Sequence, residues 1–399
     1  MDSAPATTAP HFATQLVHGP QTYKSVPHEP TVEAIYMNNT YEYPSAAETE
    51  EWFLDPRRKF VYSRYGNPTV RDFEERMTVL ERGADAVAFS SGTSALLGAL
   101  LTVAQTGDHL LVQRNCYGGS YYLAGRLAQQ FGITATMVDA TDLAACEAAL
   151  TPNTKAMILE TPANPTGAIV DLAATCAWAH AHNLKVVVDS TLASPALQQP
   201  LTLGTDIVWH SCTKYLGGHG DVMGGVAVCA TQELAEDMWH RWMHALGTNL
   251  SPFNAFLLVR GMKTLALRMR QHSENAQAIA EWAEGDTRID KVWYPGLTSH
   301  PGHEAASRQM HGGYGGLMAF DIRGGREAAF RVHDRVALFT RTASLGDCAS
   351  LIVHPASTSH RQFTDAERAE WGVTQGTLRL SIGIEDVGDL IADLDQALG

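Results

Sequence analysis

At 399 residues the chain exceeds one ordinary domain and can bury a large core, so two domains are expected. Apolar residues make up 45% and charged residues 18%, a globular composition, and no apolar run is long enough to cross a bilayer. The formal charge of −14, from 29 basic and 43 acidic residues, argues against nucleic acid or an anionic membrane as main partner but leaves a local anion site open.

The opening stretch, MDSAPATTAPHFATQ, has no basic region followed by an apolar core, so no signal peptide is expected and the compartment reads as cytoplasm. Residues 1–65 hold many turn formers and few periodic segments, which suits an arm docking on a neighbouring subunit. It includes Pro44, the acidic residues Glu48, Glu50 and Glu51, and the run Pro56, Arg57, Arg58 and Lys59. Within it VYSRYGNPT puts Tyr62 and Arg64 on a polar loop. A guanidinium fork and a phenol there suit phosphate or carboxylate, and a surface ion pair is the plainer alternative.

From Pro68 the pattern alternates helix and strand. Thr69–Glu81 has helical spacing, and Ala86–Phe89 is a short buried-strand run ending in Ser90-Ser91-Gly92-Thr93-Ser94 before an apolar helix from Ala95 to Val103. A strand, a Ser/Gly turn and a helix N-terminus offer backbone N–H groups to an anion, although plain N-capping uses the same residues. Further strands are expected at His109–Gln113, Thr134–Val138, Ala156–Leu159, Lys185–Val188, Ile207–Trp209 and Val226–Cys229, with helices over Tyr121–Gln130, Leu143–Leu150 and Leu172–His182. Together they predict an α/β domain with a seven-stranded, mainly parallel sheet covered on both faces. Ligands bind beyond the strand C-termini of such sheets. Those ends carry Ser91-Gly92-Thr93, Glu160 with TPANPTG, Asp189 with Ser190-Thr191, and Ser211 through Lys214. A lysine presented by hydroxyls and followed by glycines at 217, 218, 220, 224 and 225 suits an amine nucleophile beside an anionic ligand.

After Met262 the composition shifts. LRMRQHSENAQAIAEWAEG reads as a long amphipathic helix, strands are expected at Lys291–Tyr294, Leu317–Phe320 and Ser350–Val353, and a last helix over Asp386–Leu398 closes a smaller α+β domain. Arg379, inside the apolar run TLRLS, is costly unless paired, which suits a substrate carboxylate or a structural ion pair. The expected division is an arm over 1–65, a large domain over 66–264 and a small domain over 265–399. Cysteines at 116, 146, 176, 212, 229 and 348 include no CxxC pair, so reduced thiols are expected rather than disulfides or a metal centre.

Taken in order, YSRYGNPT, FSSGTSA, NCYGGSY, ETPANPTG, VVVDST, HSCTKYLGGHGD, ASLGDCASLIVHPASTSH and TLRLSIGIED resemble the pyridoxal 5′-phosphate (PLP) enzymes of cysteine and methionine metabolism. That family includes methionine γ-lyase, cystathionine γ-synthase and γ-lyase, and the O-acylhomoserine sulfhydrylases. The resemblance implies a type I, aspartate-aminotransferase-like fold and a homotetramer of two active dimers. By position it makes Lys214 the Schiff-base lysine and proton carrier. Asp189 is the partner of the pyridine nitrogen. Tyr117 is the residue that stacks on the cofactor ring and acts as acid towards the leaving group. Ser91, Gly92, Thr93, Ser211 and Thr213 form the phosphate cradle, which Tyr62 and Arg64 complete from the adjacent subunit. Asn164, Ser344 and Arg379 hold the substrate carboxylate.

The implied reaction is γ-elimination on an L-amino acid with a leaving group on Cγ, with γ-replacement by a sulfhydrylase- or synthase-like enzyme as the alternative. The chain departs from its relatives in three places. Gly119 stands where methionine γ-lyases resemble one another in carrying cysteine, Ala343 where cystathionine-handling members tend to have glutamate, and Ser190 where asparagine is usual. HPASTSH and Asp347 look more like the sulfhydrylases and methionine γ-lyases. The acidic residues Glu48, Glu50 and Glu51 fit either a solvated charge run or attraction of a cationic substrate such as canavanine. A dinucleotide-binding oxidoreductase fits less well. Gly218-x-Gly220 is followed by Gly224, one residue too far for that fingerprint, and the run follows a lysine instead of opening a helix. A catalytically silent binding protein is at odds with a complete constellation.

Overall fold

The computed structural model describes residues 11–18 and 31–399, and the rest of the expected arm lies outside the described residues. Seven strands make the larger sheet: β1 (Asp85–Phe89), β2 (His109–Gln113), β3 (Thr134–Val138), β4 (Thr154–Glu160), β5 (Lys185–Asp189), β6 (Ile207–Ser211) and β7 (Gly225–Cys229). Their order is β1-β7-β6-β5-β4-β2-β3. β7 runs antiparallel to β1 and β6, and all other pairs are parallel.

Strands rich in Val, Ile, Leu and Ala have no polar face to show to water, so helices cover both sides. On one side the helix Gly92–Val103 packs Leu96, Ala99 and Leu100 against Val87, Phe89, Val112, Val187 and Trp209. On the other, Phe73, Met77 and Leu80 of the helix Pro68–Glu81 meet Ala86, Val208 and Val226. Side-chain caps fix where the helices start. Asn67 accepts from Thr69 N and precedes Pro68, Ser91 accepts from Ser94 N, and Asp171 accepts from Ala174 N.

The expected helix over Tyr121–Gln130 divides into an α-helix, Gly118–Gly125, and a 3₁₀ turn, Leu127–Phe131. The break falls at Arg126, whose φ of −120° and ψ of −49° leave the helical region, directly after Gly125, which packs close to the end of the Met137 side chain of β3. The glycine-rich stretch after Lys214 is a loop running into β7 and opens no helix.

The second sheet has five strands: β8 (Ile289–Trp293), β9 (Leu317–Ile322), β10 (Thr340–Arg341), β11 (Leu351–Val353) and β12 (Thr377–Ser381), in the order β10-β11-β12-β9-β8. The helices Leu265–Glu284, Gly325–Arg335 and Val387–Leu398 bury Ile279, Ala329, Val332, Leu390 and Leu394 against it. The described part of the arm is tied to the large domain. Tyr36 N donates to Thr69 Oγ1 at 3.0 Å, and the buried Arg57 pairs with Glu74 at 2.9 Å and Asp85 at 3.1 Å. Five of the six cysteines are buried, and all six are free thiols. Among the described residues no helix is long and apolar enough to cross a membrane.

Candidate active site

The C-terminal ends of the parallel strands open into a cavity of about 230 Å³, closed on its far side by the small domain. Of the residues expected from sequence, Ser91, Gly92, Thr93, Tyr117, Asn164, Asp189, Ser211, Thr213, Lys214 and Arg379 all line it. Ser344 joins them by accepting a hydrogen bond from Lys214 Nζ at 3.3 Å.

One end is built for an anion. The helix Gly92–Val103 leaves the N–H groups of Gly92 and Thr93 without partners inside the helix, at the positive end of its dipole. Close packing aims this turn. A Cβ on Gly92 would lie 2.8 Å from Ser211 Cβ, and one on Gly225 would lie 2.5 Å from the carbonyl carbon of Ser91 and collide with its oxygen. Beside it, Ser211 N donates to Thr191 Oγ1 at 2.8 Å, and Thr213 Oγ1 accepts from Gly224 N at 3.3 Å.

Lys214 follows β6 on a tight turn, with its N–H on Ser211 O and its C=O accepting from Gly218 N. Burial pushes its amine below the ordinary lysine value, and the Arg379 charge pushes the same way. Asp189 ends β5, and its Oδ1 accepts from Thr191 N at 2.9 Å. In the next strand Glu160 stands in register with it. Burial raises the pKa of both carboxyls, and the Asp189 charge raises Glu160 further.

The small-domain side of the cavity presents a buried guanidinium that could hold a carboxylate. Arg379 in β12 is 2% exposed, donates from Nη2 to Ser344 O at 2.6 Å and Ala343 O at 3.3 Å, and keeps Nε without a partner. Burial lowers its pKa to about 10. Asn164 Oδ1 is likewise buried without a partner. A guanidinium edge and an amide left open in one cavity are the groups an α-amino acid would satisfy. The anion cradle, the basic amine and the carboxyl at Asp189 fit a phosphorylated pyridine aldehyde.

Tyr117 caps the helix Gly118–Gly125. Its side chain is 46% exposed, lies against Gly119, and leaves no room for a Cβ there. Tyr62 and Arg64 do not reach this cavity. Arg64 donates to His244 O at 2.8 Å and lies 4.7 Å over the Tyr65 ring, while Tyr62 is exposed. Glu48, Glu50 and Glu51 are exposed on the helix Ala46–Trp52 and line no part of the cavity.

In the sequence Glu160 and Thr191 both stand at polar strand ends, but neither has a task assigned to it there. The signal for Glu160 was an acid closing an apolar strand beside a second such acid, but its partners are backbone N–H groups that no motif announces. Thr191 closes VVVDST just past β5, and its Oγ1 accepts from Ser211 N at the end of the neighbouring β6.

The chain matches the family model for Cys/Met metabolism PLP-dependent enzymes over residues 13–399. It is 43% identical to the O-succinylhomoserine sulfhydrylase of Pseudomonas aeruginosa, covering 92% of this chain and 90% of that one. With the L-methionine γ-lyase of Pseudomonas deceptionensis it shares 42% identity over 97% of each chain. The fold superposes on cystathionine γ-synthase from Xanthomonas oryzae in complex with aminoacrylate and cysteine, with a TM-score of 0.91, 39% identity and 98% of both chains covered. It also superposes on a Campylobacter jejuni protein described as an O-acetylhomoserine (thiol)-lyase, with a TM-score of 0.92, 32% identity, and 97% of this chain and 99% of that one covered. That structure carries N′-pyridoxyl-lysine-5′-monophosphate. On sequence and fold together, this chain belongs to the Cys/Met metabolism PLP-dependent enzyme family.

Proposed function

We propose that the enzyme catalyses γ-elimination on an L-amino acid of the methionine or homoserine-ester type. The observation that carries this reading is Lys214, a half-buried amine of lowered pKa, hydrogen-bonded to Ser344 and held beside an arginine whose Nε is open. PLP, when bound, supplies an electron sink that makes protons on the substrate's carbon chain removable. The N–H groups of Gly92 and Thr93 and the hydroxyls of Ser211 and Thr213 hold its phosphate, and Asp189 holds its ring nitrogen protonated. Arg379, Ser344 and Asn164 hold the substrate carboxylate. Lys214 Nζ takes the Cα proton and carries it along the chain, and the Tyr117 hydroxyl donates a proton to the departing group. Water then completes the reaction to 2-oxobutyrate and ammonia.

The cavity also bears on the leaving group. Its charged lining side chains among the described residues are Asp189, Lys214 and Arg379, with tasks at the cofactor or carboxylate end, and Glu160, whose oxygens are taken up by the backbone N–H groups of Tyr117 and Asn164. Ala343, Leu345, Met223 and Gly119 are among the uncharged lining residues that remain for the γ-group, which supports one that is small and uncharged. A second reading, γ-replacement with sulfide on an acylated homoserine, is favoured by the 43% identity to the O-succinylhomoserine sulfhydrylase. We place the enzyme in the cytoplasm as a homotetramer. In it the arm over 1–65 brings Tyr62 and Arg64 to the phosphate of the neighbouring subunit, around a large domain over 66–264 and a small one over 265–399.

The test is a screen of the holoenzyme for 2-oxobutyrate. The panel comprises methionine, homocysteine, cystathionine, canavanine and O-acetyl- and O-succinylhomoserine, with and without sulfide. Elimination predicts 2-oxobutyrate without sulfide, replacement predicts homocysteine only with it, and no product from any member defeats both.

A further inference from the structure

Glu160 is 4% exposed and ends β4 beside Asp189, so its charge is desolvated and lies next to a like charge. A carboxyl there is costly unless it has donors, and its donors come from two separate segments. Oε2 accepts from Tyr117 N at 2.6 Å, and Oε1 accepts from Asn164 N at 2.8 Å. Tyr117 opens the helix Gly118–Gly125, and Asn164 lies in the TPANPTG turn after β4. The main chain at Glu160 is itself anchored, because Glu160 N donates to Gln113 Oε1 at 2.9 Å and the Gln113 amide donates to Asn115 O at 2.7 Å.

Resting on the reading of Tyr117 as acid and Asn164 as carboxylate grip, we infer that Glu160 is a positioning residue that locks these two groups at a fixed separation. Burial and Asp189 push the Glu160 pKa up to about 8, the two N–H bonds oppose that push, and the ionised carboxylate accepts at both oxygens, so neither segment can shift without pulling on the other. An amide of the same shape cannot replace it. Its oxygen accepts one N–H, and its own NH₂ then faces the other N–H. Glutamate is therefore required by the donor pattern, and isosteric volume alone does not satisfy the site.

The test uses the holoenzyme of Glu160→Gln, with kcat and KM expressed per bound PLP, thermal melting, and a cycle with Tyr117→Phe. Loss of one charge-assisted bond predicts a fall in kcat/KM of about ten- to a hundredfold, shared between kcat and KM. It also predicts an altered cofactor circular dichroism and a smaller effect of E160Q on kcat in the Tyr117→Phe background. Unchanged kinetics per bound cofactor with a lowered melting temperature, or strictly additive effects, overturns the inference. Should E160Q not fold, Glu160→Asp, which keeps the charge but is one methylene too short to span both donors, is judged by the same criteria. Hydrogen exchange in the wild type needs no variant. Protected amides at Tyr117 and Asn164 are expected, and free exchange at either overturns the bridge. A wild-type enzyme with no cofactor band and no product would instead defeat the proposed function.

Discussion

Substituting alanine for Gly225 presses directly on the turn assigned to the phosphate. The added Cβ would sit 2.5 Å from Ser91 C and 2.8 Å from Gly92 N, against Ser91 O. Comfortable carbon contacts lie near 3.5–4.0 Å, so the two backbones must part by about 1 Å. β7 cannot retreat, because Gly225 pairs with Phe89 of β1 on one side and Ser211 of β6 on the other. The Ser91–Gly92 turn yields instead, and the N–H groups of Gly92 and Thr93 turn away from the anion. Overpacking of this kind costs about 1–3 kcal/mol in stability. Loss of one charge-assisted hydrogen bond costs about 1.5–3 kcal/mol in binding, which is about a ten- to hundredfold rise in the PLP Kd. Titrating apoenzyme with PLP at the visible band gives the Kd, and thermal melting gives the stability. A G225A enzyme that melts earlier yet binds PLP with the wild-type Kd would refute the assignment of the cradle to this turn.

Arg57→Met should lower stability by about 3 kcal/mol, because Glu74 and Asp85 remain buried with Arg71 alone to neutralise them; an unchanged melting curve refutes it. Burial pushes the Asp85 carboxyl up, but Arg57 and Arg71 outweigh it and hold its pKa below the ordinary value. The stability this confers is complete above the unfolded pKa near ~3.9 and is lost as pH falls through the lower folded value, so melting temperature should drop in that acid window and R57M should flatten the drop. Arg379→Lys removes the fork whose Nη2 grips two carbonyls while Nε stays open, and KM for amino acids should rise at least about tenfold with a smaller change in kcat. Arg379→Met deletes the like charge beside Lys214, so recombination of apoenzyme with PLP should require a higher pH; an unshifted pH profile contradicts the coupling.

The large sheet was readable from sequence because each strand is a short apolar run closed by polar residues, and all seven lie within a residue or two of where the pattern places them. The polar strand ends were readable for the same reason, and they meet in one cavity. What escaped were features set by backbone or by distant partners. Arg57 reads as one of three consecutive basic residues, and the partners that hold it in the interior, Glu74 and Asp85 among them, lie 17 and 28 positions away. Glu160 binds two backbone N–H groups, which leave no side-chain signature. The π-helical turn Met238–Met243, followed by His244 whose carbonyl receives Arg64, has no periodicity of its own to announce it. Tyr62 and Arg64 carried an anion-binding pattern, but a single chain holds them away from the cavity.

Lys214 is proposed as the residue joined to PLP. Reducing the holoenzyme with borohydride and mapping its peptides tests it directly. The visible band should bleach, the pyridoxyl group should be recovered on Lys214, and Lys214→Ala should yield no reducible adduct. Recovery of the group on another lysine, or a reducible band surviving in Lys214→Ala, would contradict it.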